Sequence, residues 1–311
     1  MMIEELDDPT GAGGLEKGSW DIDRMCTALD PLAIADAAAM SISIAQELET
    51  WVRSTALPVR QEQIMPAAIL AAFIAPWLPS DQCSLFAQAI LWTALIDVFV
   101  DDLKSESDRA VEACLQDCRS VISIKNADPT HSLSLALSTI HERFLNQPAG
   151  PSLYSFFQSA TDSFLSGQSF ERRAARALTG GAELPTIQEY LKQGARSIGM
   201  HFVTAVLWST IESADASPAA TSLGDALDDA ALAVRLANDL AGHDRETVEG
   251  SVNALALGLQ PDHVAHLLSQ CAHRCVEKLN NFPPAGHLLT LALERQLLCY
   301  LRIYQRIDAS H

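Results

Sequence analysis

An all-α fold, a single helical bundle, is predicted by three features of the sequence. Beyond residue 20 nearly every segment carries its apolar residues at helical period, and Ala and Leu dominate those segments. The alternating β-branched runs joined by Asn-Gly or Asp-Gly turns that announce a sheet do not occur. The third feature is bulk: of 311 residues, 48% are hydrophobic and 19% charged, enough to bury a large core and too apolar for a disordered chain. Against 21 Lys and Arg stand 39 Asp and Glu, a formal net charge of −18. That field repels phosphate backbones and anionic bilayers, so nucleic acid is excluded as the expected partner. The start, MMIEELDD, lacks the basic and apolar regions of a signal peptide. No apolar run approaches the roughly 20 residues of a spanning helix. The expectation is a cytoplasmic protein without an integral membrane segment.

Residues 1–20 hold Gly11, Gly13, Gly14 and Gly18 among acidic residues with no apolar period, and read as a flexible tail. The remainder, 21–311, reads as one domain. Its first breaks are Pro58 and Pro66, and Pro76 and Pro79 then precede the apolar segment 81–102. Pro129 and the pair Pro148/Pro151 punctuate the next helices, and Gly180/Gly181 with Pro185 open the stretch 185–202. Pro218, Pro261 and Pro283/Pro284 separate the C-terminal segments, for about ten helices in all. No repeat of fixed period and no later low-complexity linker divides the chain; a boundary near 179–184 (TGGAEL) is the alternative. The seven cysteines are an odd number, and Cys114/Cys118 and Cys271/Cys275 are i, i+4 pairs, so buried reduced thiols are expected. A zinc site with His266 and His273 lacks the Cys-x-x-Cys spacing.

Two acidic clusters fall on helices that otherwise look buried, where unpaired carboxylates would cost several kcal/mol. Segment 81–102 ends in Asp97, Asp101 and Asp102, with Glu106 just beyond, and Asp97 and Asp101 share a face. Carboxylates at a helix C-terminus oppose the macrodipole. The placement therefore points either to a solvated helix end or to a hard divalent cation that keeps coordination sites for a phosphate-bearing substrate. The second cluster is RLANDLAGHDRE, residues 235–246, in a helix-like stretch beginning near Leu223. Asn238, Gly242 and Glu246 fall at i, i+4 and i+8 over about 12 Å of rise, with Arg235 one turn earlier. Amide, carboxylate and guanidinium in one stripe suit a metal-bridged diphosphate, although a solvated face laced by i, i+4 pairs has the same spacing.

Together the clusters resemble those of class I terpene synthases. Asp101-Asp102-x-x-x-Glu106 is similar to their aspartate-rich motif, and Asn238-Asp239-x-x-Gly242-x-x-x-Glu246 to their second metal motif. The resemblance implies that three Mg²⁺ ions hold a prenyl diphosphate between two facing helices. Asp101 with Asp97 or Asp102 would supply one wall, and Asn238 and Glu246 the other. Arg235 and Arg245 match positions that contact the diphosphate. PTIQEYLKQGARSIGMHF (185–202) resembles the family's broken helix that senses that group. Ser105 stands where the last aspartate is expected, with Glu106 or Asp97 as the replacement. Gly194 stands at the usual sensor arginine, leaving Arg196 or Lys192. Gly242 replaces a hydroxyl ligand, a position water would fill. The Gly242 variant and the pattern Tyr190 to Ile198 are similar to bacterial labdane-related diterpene synthases of the ent-kaurene and terpentetriene synthase type, which act on a bicyclic C20 diphosphate.

Such chemistry needs a dry pocket for a carbocation. Candidate liners are Phe73, Trp77, Trp92, Phe99, Phe157, Phe202 and Trp208, whose rings could equally be ordinary core, together with Ile198 and Gly199 in the stretch 185–202. His201 reads as a satisfied core histidine. Arg302 and Tyr304 in YLRIYQR resemble the family's lid-side Arg-Tyr pair. No Asp-x-Asp-Asp motif of a class II cyclase is present, so the resemblance implies an upstream class II enzyme as supplier. A homodimer is compatible with the family. Two alternatives stand beside this reading: a class I cyclase of linear farnesyl or geranylgeranyl diphosphate, and a non-catalytic helical scaffold.

Overall fold

The computed structural model describes residues 30–123, 128–213, 216–249 and 251–306, excluding the side chains of 244–249; the expected tail, 1–20, lies outside the described residues. Chain chemistry sets the helix ends. In α1 (Pro31–Thr55), Asp30 accepts the Leu32 N–H at 3.0 Å and Pro31 takes the first helical position, where no donor is lost. Pro66, expected as a break, lies inside α2 (Gln61–Ile74). The proline removes the donor to the Glu62 carbonyl, and both residues are exposed, so water can replace it.

Helices α3 (Ser80–Asp101), α4 (Asp108–Ser123), α5 (Ser132–Leu145) and α6 (Tyr154–Gly180) follow. By length and composition α3 could cross a membrane, which corrects the expectation that no run approaches that limit. Yet 72% of its apolar window is buried inside the bundle, and that burial marks it as a central core helix. The stretch 185–202 is two helices, α7 (Ile187–Ser197) and α8 (Met200–Ser209). A short α9 (Ala216–Ser222) leads to α10 (Gly224–Glu249), which starts beside the expected Leu223; α11 (Pro261–Asn280) and α12 (His287–Tyr304) complete the order.

Among the described residues there is no strand, and the fold is all-α. One contiguous apolar cluster runs from Ile44 to Leu301, with α3, α6, α8 and α10 crossing it. A second cluster, built around Tyr190, Leu236, Val252 and Val264, joins α7, α10 and α11. Cys114, Cys118, Cys271 and Cys275 are buried free thiols.

Candidate active site

The first acidic wall is the C-terminal end of α3. Asp97 and Asp101 lie four residues apart on it, both half-buried, and Asp97 Oδ1 accepts from Gln168 Nε2 of α6 at 3.2 Å. Asp102 is differently employed. Its Oδ1 accepts the backbone N–H groups of Ser105 at 2.8 Å and Lys104 at 3.2 Å, a turn that closes on its own carboxylate. The Ser105 bond above all holds the Asp102 carboxyl below the usual range. The Glu106 backbone N–H returns to the Asp102 carbonyl at 3.2 Å.

Three aspartates at the negative end of a helix need a cation and donors for the last carbonyls. Arg172 of α6, only 4% exposed, supplies both. Its guanidinium donates to the carbonyls of Val100 at 2.7 Å and Asp102 at 2.9 Å, to the Glu106 carbonyl, and to Asp108 Oδ1 at 2.8 Å.

The second wall is α10. Asn238 and Gly242 are buried on it; the side chains of Arg245 and Glu246 lie outside the described residues, although the helix backbone continues through both. Asp239 is fully buried, accepts the Tyr190 hydroxyl at 2.7 Å and the Ala254 N–H at 3.1 Å, and pairs with Arg235 Nε at 2.9 Å. Burial pushes the Asp239 carboxyl up against the pull of Arg235. Arg235 pairs also with Glu171 Oε1 of α6 at 2.6 Å, and burial raises the Glu171 carboxyl to about 7. The predicted diphosphate-contacting Arg235 is thus held by the Asp239 carboxylate, the Glu171 carboxyl and the Tyr190 phenol, because a buried guanidinium requires partners for its donors. Gly194 makes room for it: a Cβ there would stand 3.2 Å from Arg235 Cγ.

Between the walls lies the α7–α8 break. Gly199 has φ 73°, and a Cβ on it would meet Thr93 Cγ2 at 3.0 Å, so both the turn and the packing against α3 require glycine. Ser197 donates its hydroxyl to Glu171 Oε1 at 2.5 Å, and its carbonyl accepts from Gln168 at 3.0 Å. Of the possible stand-ins for a sensor, Arg196 donates to Gln193 at 3.3 Å and Lys192 is exposed.

The structure divides the expected liners. Trp92, Phe157 and Phe202 are fully buried and in ring contact, Trp92–Phe202 at 4.9 Å and Phe157–Phe202 at 5.5 Å. They are joined by Phe164, which sequence reasoning missed and which touches Trp92 at 5.6 Å. Trp92 spends its N–H on the Leu133 carbonyl and Trp208 its own on Leu289. Phe99 instead meets His131 at 5.2 Å, and Trp77 lies under Arg295, whose guanidinium also binds the Phe73 carbonyl. Ile198 sits at the break, against the core. A groove of about 460 Å³ opens between α4 and α6, lined by Asp108, Glu112, Ser169, Arg172, Arg173 and Arg176 and by none of these rings. His201 is satisfied by Asp228 Oδ1 of α10 at 2.8 Å in a partly exposed position, not in the core. Arg302 and Tyr304 are on the last turn of α12, half-buried, Arg302 donating to Gln305 at 3.4 Å.

Sequence reasoning also passed over Gln168, Glu171 and Arg172. The signal was present: Phe157, Thr161, Phe164, Gln168 and Arg172 recur at helical spacing on the buried stripe of α6. Among the described residues no three His, Cys, Asp or Glu side chains form a ready cage for a metal ion. Asp97, Asp101 and Asn238 nevertheless offer hard oxygen donors, and one or two carboxylates are the set Mg²⁺ uses when phosphate oxygens and water complete its shell. The residues present fit that ion.

Oxygen donors at the end of α3 and along α10 of a helical bundle are in keeping with a metal-binding terpene synthase domain, and the chain belongs to that family. Residues 88–266 match terpene synthase family 2, C-terminal metal binding, a span that holds both walls. Ent-pimara-9(11),15-diene synthase of Streptomyces sp. (strain KO-3988) is 27% identical over 262 residues, covering 81% of this chain and 87% of that protein. The fold is similar to that of linalool/nerolidol synthase from Streptomyces clavuligerus in complex with 2-fluorogeranyl diphosphate, with a TM-score of 0.71 and 16% identity over 86% of this chain and 95% of the other. A point variant of cucumene synthase gives a TM-score of 0.69 at 14% identity over 86% and 94%.

Proposed function

We propose that this terpene synthase is a Mg²⁺-dependent class I diterpene synthase that ionises a bicyclic C20 diphosphate of copalyl or clerodane type and quenches the allylic cation to an olefin, releasing diphosphate. The observation that carries it is the pair of oxygen-donor walls, with Asp97 and Asp101 on α3 and Asn238 and Gly242 on α10, both tied to the α7–α8 break through α6. The Gly242 variant, the residues 190–198 and the diterpene synthase relative support the bicyclic substrate.

Asp97, Asp101, Asn238 and Glu246 would hold the metal, with water at Gly242 and Asp102 kept for the loop. When bound, Mg²⁺ supplies charge neutralisation to the departing diphosphate. Arg245 and Arg196 would offer guanidinium forks to its oxygens, while Arg235 orders the wall behind them. Arg302 and Tyr304 are assigned to the lid side. The contiguous rings of Trp92, Phe164 and Phe202 beneath Gly199 present π faces to a cation and exclude water. Residues 21–311 act as one domain in the cytoplasm, supplied by a class II cyclase.

The test is incubation with Mg²⁺ and farnesyl, geranylgeranyl or a bicyclic C20 diphosphate, following diphosphate release and hydrocarbons by mass spectrometry, with EDTA as control. A C20 olefin from the bicyclic substrate alone is expected. Efficient turnover of a linear substrate with the bicyclic one inert overturns the substrate assignment in favour of a linear-substrate cyclase, and no turnover returns weight to a scaffold.

A further inference from the structure

Three residues within one and a half turns of α6 reach the α3 exit, the helix break and Arg235 of α10, and none belongs to either metal motif. Gln168 spans two elements with one amide, donating to Asp97 Oδ1 on α3 at 3.2 Å and to the Ser197 carbonyl at the helix break at 3.0 Å. It is fully buried, and its Oε1 has no hydrogen-bond partner among the described residues, a polar presence that apolar packing alone would not retain. Arg172, one turn on, gathers the backbone from Val100 to Asp108 that carries Asp101, Asp102 and Glu106. Glu171 points the other way, to Arg235 on α10 and to the Ser197 hydroxyl. Gly167 permits the approach, since a Cβ there would lie 2.6 Å from the Ser197 backbone nitrogen.

Charge alone does not explain Arg172. Arg173 and Arg176 lie on the same helix, yet they bond Ser169 and Asp108 at the surface, and only Arg172 turns inward to backbone carbonyls. A planar fork of five N–H donors can bind several carbonyls of one loop at once; an ammonium cannot match that span.

We infer that Gln168, Glu171 and Arg172 form a positioning clamp that sets the separation and orientation of the two metal-holding walls and ties both to the α7–α8 break. This rests on the reading of those walls as metal-holding. On that basis the clamp acts on metal and diphosphate affinity, through ligands it does not itself replace. Partners one step removed from metal ligands change metal affinity by roughly 10- to 100-fold when mutated.

The experiment is calorimetric titration of the full-length protein with inorganic diphosphate across a series of Mg²⁺ concentrations, with thermal melts of each variant. Wild type is expected to bind diphosphate only with Mg²⁺, and Asn238→Ala to lose that binding. Arg172→Met and Gln168→Leu should each raise the Mg²⁺ concentration needed for half-maximal binding by roughly tenfold or more. Arg172→Lys should fall between, and excess Mg²⁺ should restore binding in all three. Folded variants with a lowered Tm but wild-type Mg²⁺ requirement overturn the clamp and leave ordinary packing. Should the Arg172 variants fail to fold, Gln168→Leu, which keeps volume and removes only the bridge, decides alone. Wild type that binds no Mg²⁺-diphosphate overturns the metal reading beneath it, a result distinct from either.

Discussion

The oxygen donors on α3 and α10 are similar in kind and are ordered by opposite means. On α10 the stripe of Asn238 and Gly242 lies within a continuous helix, and Asp239, one residue from Asn238, is fully buried in an ion cluster with Arg235 and Tyr190. On α3 the carboxylates crowd the helix exit, half-exposed, where the macrodipole is against them. Their order is imported from α6 through Gln168 and Arg172. A ligand on a helix interior inherits its position from the helix, whereas one at a helix end must be fixed by a second element.

The largest effects test whether there are two walls at all. Asn238→Ala and Asp101→Ala are each expected to lower turnover by at least about 100-fold with Tm changed by only a few degrees, read by product formation and melting. Wild-type turnover in either variant removes that wall. Next comes the ion cluster behind α10. Glu171, raised to about 7 by burial, keeps its proton in the folded state between roughly pH 4.5 and 7, where the unfolded chain has released it. Its contribution to stability is therefore full below that window and falls as pH rises through it. Urea melts at pH 5 and pH 7 should show a smaller loss in Glu171→Gln than in wild type, by on the order of 2 kcal/mol. An identical pH slope would place Glu171 outside the cluster.

Gly167→Ala puts a Cβ into the backbone of Ser197 and should cost about 2 kcal/mol by denaturant unfolding, by forcing α6 from the break. The smallest effect sharpens the α3 wall itself. Asp102→Ala should lower kcat by roughly tenfold or less, because its carboxylate closes the 102–105 turn, whereas Asp97→Ala should approach the loss in Asp101→Ala. Equal losses at 97 and 102 would show that the loop carboxylate also reaches the metal.

Much of the fold was legible because its determinants are local. The proline and glycine breaks mark most helix ends, and the start of α10 beside Leu223 follows from periodicity. Pro66 misled because a helix tolerates proline where water can serve the orphaned carbonyl. The length of the apolar run in α3 was underestimated in the sequence, and only packing says what covers it. At the site, Asn238 and Gly242 on one stripe of α10 could be placed by counting residues. Which of Asp97, Asp101 and Asp102 keep their carboxylates on the helix could not, since Asp102 leaves the helix and turns onto its own loop. Aromatic residues were legible as a type and not as a surface, which is why Phe164 was missed and Phe99 and Trp77 fall apart from Trp92 and Phe202.

By itself the sequence determined the helical fold class and the stripe that sets Asn238 and Gly242 on one helix, both of which depend on residue type and spacing along one chain. Only the tertiary structure decided that Arg235 lies across Gly194 into an ion cluster, and that Arg172 rather than Arg173 or Arg176 holds the α3 exit. The physical reason is that a long cationic side chain has no fixed partner until another helix supplies buried acceptors within hydrogen-bond reach, and that proximity belongs to packing.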